Sequence, residues 1–89
     1  MPGAIPLSKA EEGSVFRMLS VKTDVRTSNK LWASGLVPSS TIEVVSNSRA
    51  GLIIKVEGSR MGINTDLAHV IIVEPLLGYE TSLFQQQGQ

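Results

Sequence analysis

The chain has 89 residues, of which 42% are hydrophobic and 18% are charged, so it suits one domain with a core and not a disordered chain. Eight Lys and Arg residues balance eight Asp and Glu residues, and they stand singly along the chain, which argues against a nucleic-acid partner. The absence of cysteine excludes disulfides and thiolate metal sites, and no apolar run approaches the roughly 20 residues of a membrane span.

The N-terminal part is predicted to form a lead-in, one helical turn and a strand. Residues 1–6 contain two prolines and a glycine, which favours an extended, frayed start. In "LSKAEEG", Ser8 is placed to cap a one-turn helix, with Glu11 as its capping-box partner. The β-forming residues from Ser14 to Val21 then predict a strand that carries Phe16 into the core.

A short helix is predicted in the second quarter of the chain. Thr27 or Ser28 is placed to cap it. It would run to about Ser34 and turn Leu31 and Trp32 towards the core.

A sharp corner follows this helix. Gly35 permits a left-handed exit, and Leu36 is placed to plug one end of a barrel. Pro38 forces extended backbone before the next strand.

The remaining residues alternate at strand spacing. The predicted strands are Thr41–Val45, Leu52–Val56, Arg60–Ile63 and Val70–Glu74, joined by a polar loop at Ser46–Gly51, a tight turn at Gly58 and a single turn at Asn64–Ala68. Connections this short leave no room for crossover helices, so the five strands predict an antiparallel sheet curled into a small barrel. The fold class is therefore mainly β, with one or two short helices; an SH3-like barrel is the first choice and an OB-like barrel the second.

The glycines, proline and core residues fall on the pattern of a known family. Its central segment, L-x-x-[LM]-G-[LI]-x-P-G-x-x-[VI]-x-V, is met by Leu31, Gly35, Leu36, Pro38, Ile42 and Val44. Its later segment is met by Val56, Gly58, Met61, Ile63, Ala68, Ile71 and Val73, and its opening by Leu7, Ala10 and Gly13. On these residues the chain resembles the FeoA-type domain, the small cytosolic SH3-like protein that accompanies the bacterial ferrous iron transporter FeoB. The resemblance covers residues 7–74 and leaves 1–6 as a lead-in and 75–89 as a tail.

Three places depart from the family pattern. Ser34 stands where the family usually has Leu or Met, and Ser39 replaces the usual glycine after the proline. Arg49-Ala50-Gly51 stands where many members have Gly-Asp-Pro. The departures indicate a divergent or specialised member.

The resemblance implies a non-enzymatic, cytoplasmic accessory protein of ferrous iron uptake. It would bind cytoplasmic parts of the FeoB-type transporter and modulate it, with no direct membrane insertion. The residues expected near the contact surface are Leu36, Val37, Pro38, Met61 and Arg49. The Arg49 guanidinium could serve GTP hydrolysis by the partner in trans, although a solvated loop arginine is the simpler interpretation. The alternative function is a metal-responsive regulatory SH3-like domain that acts through a protein partner.

The residues themselves predict no catalytic, cofactor or metal site. His69 is the only histidine, and Asp66 is its nearest acid, so the spacing of a metal site is missing. No serine stands in a G-x-S-x-G context, and no P-loop is present.

Apolar residues are also predicted on the outer face of the strands. Ile53, Val70 and Ile72 would point away from the core and form a patch that needs covering. Two covers remain open: the tail, with its apolar residues Leu76, Leu77, Tyr79, Leu83 and Phe84, or another protein, either the transporter or a second copy in a homo-oligomer.

Overall fold

The computed structural model describes residues 3–76, which form six strands and two α-helices. The strands are β1 (Ile5–Pro6), β2 (Val15–Val21), β3 (Thr41–Ser48), β4 (Gly51–Val56), β5 (Ser59–Ile63) and β6 (Ile71–Pro75). The helices are α1 (Val25–Ala33) and α2 (Thr65–Val70), and a 3₁₀ turn spans Leu7–Lys9.

All strands pair antiparallel in one sheet with the order β1-β6-β2-β3-β4-β5. Register shifts in β2, after Met18, and in β3, after Val44, bend these strands, as closure of a small barrel requires. The prediction of a mainly β, SH3-like barrel is confirmed. The strand count is six and not five, because Ile5 and Pro6 of the predicted lead-in pair with Val73 and Ile72.

The barrel interior is filled by the in-phase apolar residues of β2 to β6. Its members are Phe16, Met18, Ile42, Val44, Leu52, Ile54, Val56, Ile63, Ile71 and Val73, with Leu7, Ala10, Leu31, Leu36 and Ala68 from the turns and helices. Most of these core residues were predicted from the alternation of inward and outward side chains along each strand. The two hairpin turns are short: Arg49–Ala50 joins β3 to β4, and Glu57–Gly58, both with positive φ, joins β4 to β5.

The predicted position of Trp32 is wrong. Leu31 is buried, whereas the Trp32 side chain is 47% exposed. Successive residues of a helix lie 100° apart, so a nine-residue helix that rests on the barrel through one narrow face buries only one of the two.

The starts of two helical segments also differ from the prediction. The 3₁₀ turn has no side-chain cap; the Ser8 hydroxyl oxygen lies 3.1 Å from His69 Nδ1 instead. Helix α1 begins before Thr27, because the Asp24 carboxylate accepts the Thr27 N–H at 3.3 Å. Hydrogen bonding, chiefly from the Thr27 side chain, lowers the pKa of Asp24, so this cap is strongest above the ordinary carboxyl pKa and weakens as the pH falls through the lowered value.

The outer face of the sheet carries a smaller apolar patch than predicted. Ile53 is exposed, as expected, and Ile72 is half-buried. Val70 is the last residue of helix α2 and not part of β6; the helix begins after Asn64, whose amide oxygen accepts the Leu67 N–H at 2.8 Å. Residues 77–89, the larger part of the predicted tail, lie outside the described residues, so what covers Ile53 stays a prediction.

Candidate functional site

The link between α1 and β3, residues Gly35–Ser40, forms the corner predicted from the sequence. Gly35 has φ +96°, a left-handed conformation that glycine adopts without a steric penalty. The Leu36 N–H donates to the Leu31 carbonyl at 3.0 Å, and the Leu36 side chain is fully buried. The corner therefore plugs the barrel with Leu36 and leaves Val37 and Pro38 exposed.

Ser40 holds the corner together and was missed by sequence reasoning. Its side chain is 7% exposed; the hydroxyl donates to the Gly35 carbonyl at 3.0 Å and accepts the Val37 N–H at 2.9 Å. Both bonds are local, as in the turns that serine hydroxyls stabilise, and a serine soon after a proline turn was the available signal.

The backbone of the corner is also bound to strand β2. The Met18 N–H donates to the Ser40 carbonyl, and the Ser39 N–H donates to the Met18 carbonyl, both at 2.8 Å. These bonds fix the direction in which Val37 and Pro38 face the solvent.

The backbone conformation of Ser39 explains why the family pattern has glycine at this position. Its φ is +80°, one of two such values for non-glycine residues among those described. This conformation costs a side-chain-bearing residue about 1–2 kcal/mol. Ser34, the second departure, is the exposed C-cap of α1 and donates its hydroxyl to the Lys30 carbonyl at 3.0 Å, so no apolar side chain is needed there.

Replacement of Ser39 by glycine is expected to stabilise the protein. Relief of the left-handed strain exceeds the added entropy of the unfolded chain, so the free energy of unfolding should rise by about 0.5–1 kcal/mol in urea denaturation. Ser34→Gly is the matched control; its φ is −82°, so it should lower stability. A destabilised Ser39→Gly variant would contradict the strain argument.

The other two predicted contact residues lie away from the corner. Arg49 is exposed in the turn at the far end of β3, and the 8 residues of that strand, at about 3.3 Å each, span about 26 Å between it and the corner. Met61 is half-buried in the edge strand β5, opposite Ile54. The five predicted residues therefore do not form one continuous surface.

Metal-ligating side chains are dispersed over the part of the chain that the structure describes. Within residues 3–76 no three His, Cys, Asp or Glu side chains come close enough to hold a metal ion. Two open depressions of about 290 and 340 Å³ lie beside the chain exit at Pro75 and beside the turn at Arg49–Ala50, and neither is lined by the corner. None of the helices in this part of the chain is both long and apolar enough to cross a bilayer.

Comparisons with known proteins agree with this architecture. The family described as the FeoA domain matches residues 5–75. The crystal structure of an iron uptake regulatory protein, FeoA, has 31% identity and a TM-score of 0.77, over 82% of this chain and 99% of that one. The NMR structure of a FeoA-like protein from Clostridium acetobutylicum has 20% identity and a TM-score of 0.74, over 86% and 92% of the two chains.

A regulatory protein shares the fold as well. A manganese-dependent transcriptional repressor in complex with manganese has 18% identity and a TM-score of 0.78, over 85% of this chain but only 38% of the repressor. No curated protein sequence matches the chain. The repressor shows the fold alone, whereas the family match spans the barrel from β1 to β6. The chain belongs to the FeoA domain family.

Proposed function

We propose that this protein is a non-enzymatic accessory component of bacterial ferrous iron uptake, working in the cytoplasm. It would bind cytoplasmic parts of a FeoB-type transporter and modulate the transporter's activity. The observation that carries the proposal is the family match over residues 5–75, together with 31% identity to a FeoA over 82% of this chain and 99% of that one.

The corner is the first candidate for the contact. Its exposed residues Val37 and Pro38 are held by the Ser40 hydroxyl and by the backbone of Met18, so little conformational freedom is lost on binding. Preferential binding to one nucleotide state of the transporter would shift its equilibrium by the difference in affinity, without any catalytic group in this chain.

A second function, a metal-responsive regulatory domain, is favoured by the likeness to the manganese-dependent repressor. It would act through a partner protein. Titration with Fe²⁺ or Mn²⁺ separates the two functions: saturable, tight binding to the isolated protein would support the sensor, and its absence would support the accessory component.

The proposed function is tested by calorimetry with the purified cytoplasmic domain of the transporter, free of nucleotide and loaded with GDP or a GTP analogue. We expect saturable binding that differs between these states. Val37→Glu should weaken it about tenfold or more, because a charge would enter the contact. Thr65→Glu introduces the same charge at another exposed β-branched residue, in the first turn of α2, and should bind like the wild type. No binding in any nucleotide state would overturn the proposal.

A further inference from the structure

Helix α1 presents two of its three large apolar side chains to the solvent. Val25 is 75% exposed and Trp32 is 47% exposed, whereas Leu31 is the one core residue among the nine of the helix. Val25 and Trp32 are seven positions apart and so lie on the same side of the helix. Neither side chain belongs to the core cluster or to the partly buried residues that pack against it.

The same helix carries two cations, and the one carboxylate next to it, Asp24, caps its N-terminus. Arg26 and Lys30 are both exposed and four positions apart, an arrangement in which like charges repel. Arg26 also lies in the first turn, where the helix dipole disfavours a cation, and no acid stands within the helix. Among residues 3–76 the one ion pair joins Arg17 to Glu74, so neither cation is paired within the described part of the chain.

We propose that the exposed face of α1, formed by Val25, Arg26, Lys30 and Trp32, binds an acidic segment of the partner protein that also offers an apolar recess for Trp32. Trp and Arg are the side chains most enriched among residues that dominate protein interfaces. The two cations would steer an acidic partner towards the helix and fix its register. The inference rests on the proposed function, since the partner is the transporter's cytoplasmic domain.

Two other occupants of this face, a second copy of the chain and a membrane surface, are disfavoured by the charges and the length of α1. In a dimer formed through α1, Arg26 and Lys30 of one copy would face the same cations of the other, so a second copy is disfavoured. A membrane surface would receive one short helix with few cations, which gives only marginal, reversible binding. An acidic protein surface satisfies both the charged and the apolar residues.

Charge reversal separates binding from stability. Arg26→Glu places an acid in the first turn and opposite charges at positions 26 and 30, so it should raise the melting temperature, by about 2 °C. The same substitution should weaken binding to the transporter's cytoplasmic domain about tenfold, and Arg26→Glu with Lys30→Glu by more. Lys9→Glu, an exposed charge reversal in the 3₁₀ turn, is the matched control and should bind like the wild type.

Trp32 supplies a second readout, because it is the only tryptophan of the chain. In protein labelled with 5-fluorotryptophan, the single ¹⁹F resonance should shift on addition of the cytoplasmic domain, and Trp32→Ser should weaken binding about tenfold without loss of the fold.

The outcomes distinguish this inference from the proposed function. Failure of the wild type to bind the cytoplasmic domain overturns both. Wild-type binding that the α1 variants leave unchanged overturns this inference alone. A membrane result would also overturn the inference. In that case the wild type would bind vesicles of phosphatidylserine and phosphatidylcholine, and the double variant would not. The double variant would still bind the cytoplasmic domain like the wild type.

Discussion

Replacement of Leu36 by alanine is expected to lower the free energy of unfolding by about 3 kcal/mol. The Leu36 side chain is fully buried and belongs to the core cluster, so truncation removes apolar contacts and leaves a cavity where the chain turns from α1 into β3. Domains of this size are stabilised by only about 5–10 kcal/mol, so the loss would be a large share of the total. Urea denaturation followed by circular dichroism measures it.

Val37→Ala is the matched control for this prediction. Val37 is the next residue of the corner but is 36% exposed, so its truncation should change stability by less than about 1 kcal/mol. A Leu36→Ala variant as stable as Val37→Ala would contradict the role of Leu36 as the plug of the barrel, and Val37 would then lose its rigid support.

Replacement of Gly51 by alanine is expected to lower the free energy of unfolding by about 3 kcal/mol. Gly51 has φ +138°, and a Cβ atom there would lie 2.7 Å from the Ile63 carbonyl oxygen. That oxygen belongs to the backbone of the neighbouring strand β5, so it cannot move aside as a flexible side chain could. Backbone strain and the collision therefore add.

Gly58→Ala separates these two contributions. Gly58 also has a positive φ, +82°, but a Cβ atom there would meet no atom within 4 Å. Its replacement should lower stability by about 1 kcal/mol through backbone strain alone. Equal losses for the two variants in thermal or urea denaturation would contradict the close approach of β4 and β5 at Gly51.

The barrel was predictable because apolar and polar residues alternate along its strands and its turns carry glycine or proline. Strand β1 was missed, since two residues, one of them a proline, show no periodicity, and their pairing with Val73 and Ile72 depends on where β6 lies in space. The sequence pattern also could not show which of Leu31 and Trp32 is buried. Both residues are apolar, and only one face of the helix packs against the barrel.

The candidate site was predicted less completely than the fold. The corner was found through Gly35 and Pro38, but Ser40 was overlooked because a buried serine resembles a loop serine in sequence. Arg49 was grouped with the corner, although β3 places it at the opposite end of the strand. The cations of α1 look scattered along the chain, and only helical periodicity places Arg26 and Lys30 one turn apart.

The central claim is that this barrel is a binding module. The most direct test is to follow the backbone amide NMR shifts of the ¹⁵N-labelled full chain as the transporter's cytoplasmic domain is added. We predict saturable shifts confined to the corner and to helix α1, larger in one nucleotide state than in the others. The absence of shifts in every state, or shifts confined to the turn at Arg49 and to strand β5, would contradict the claim that the corner and α1 form the contact surface.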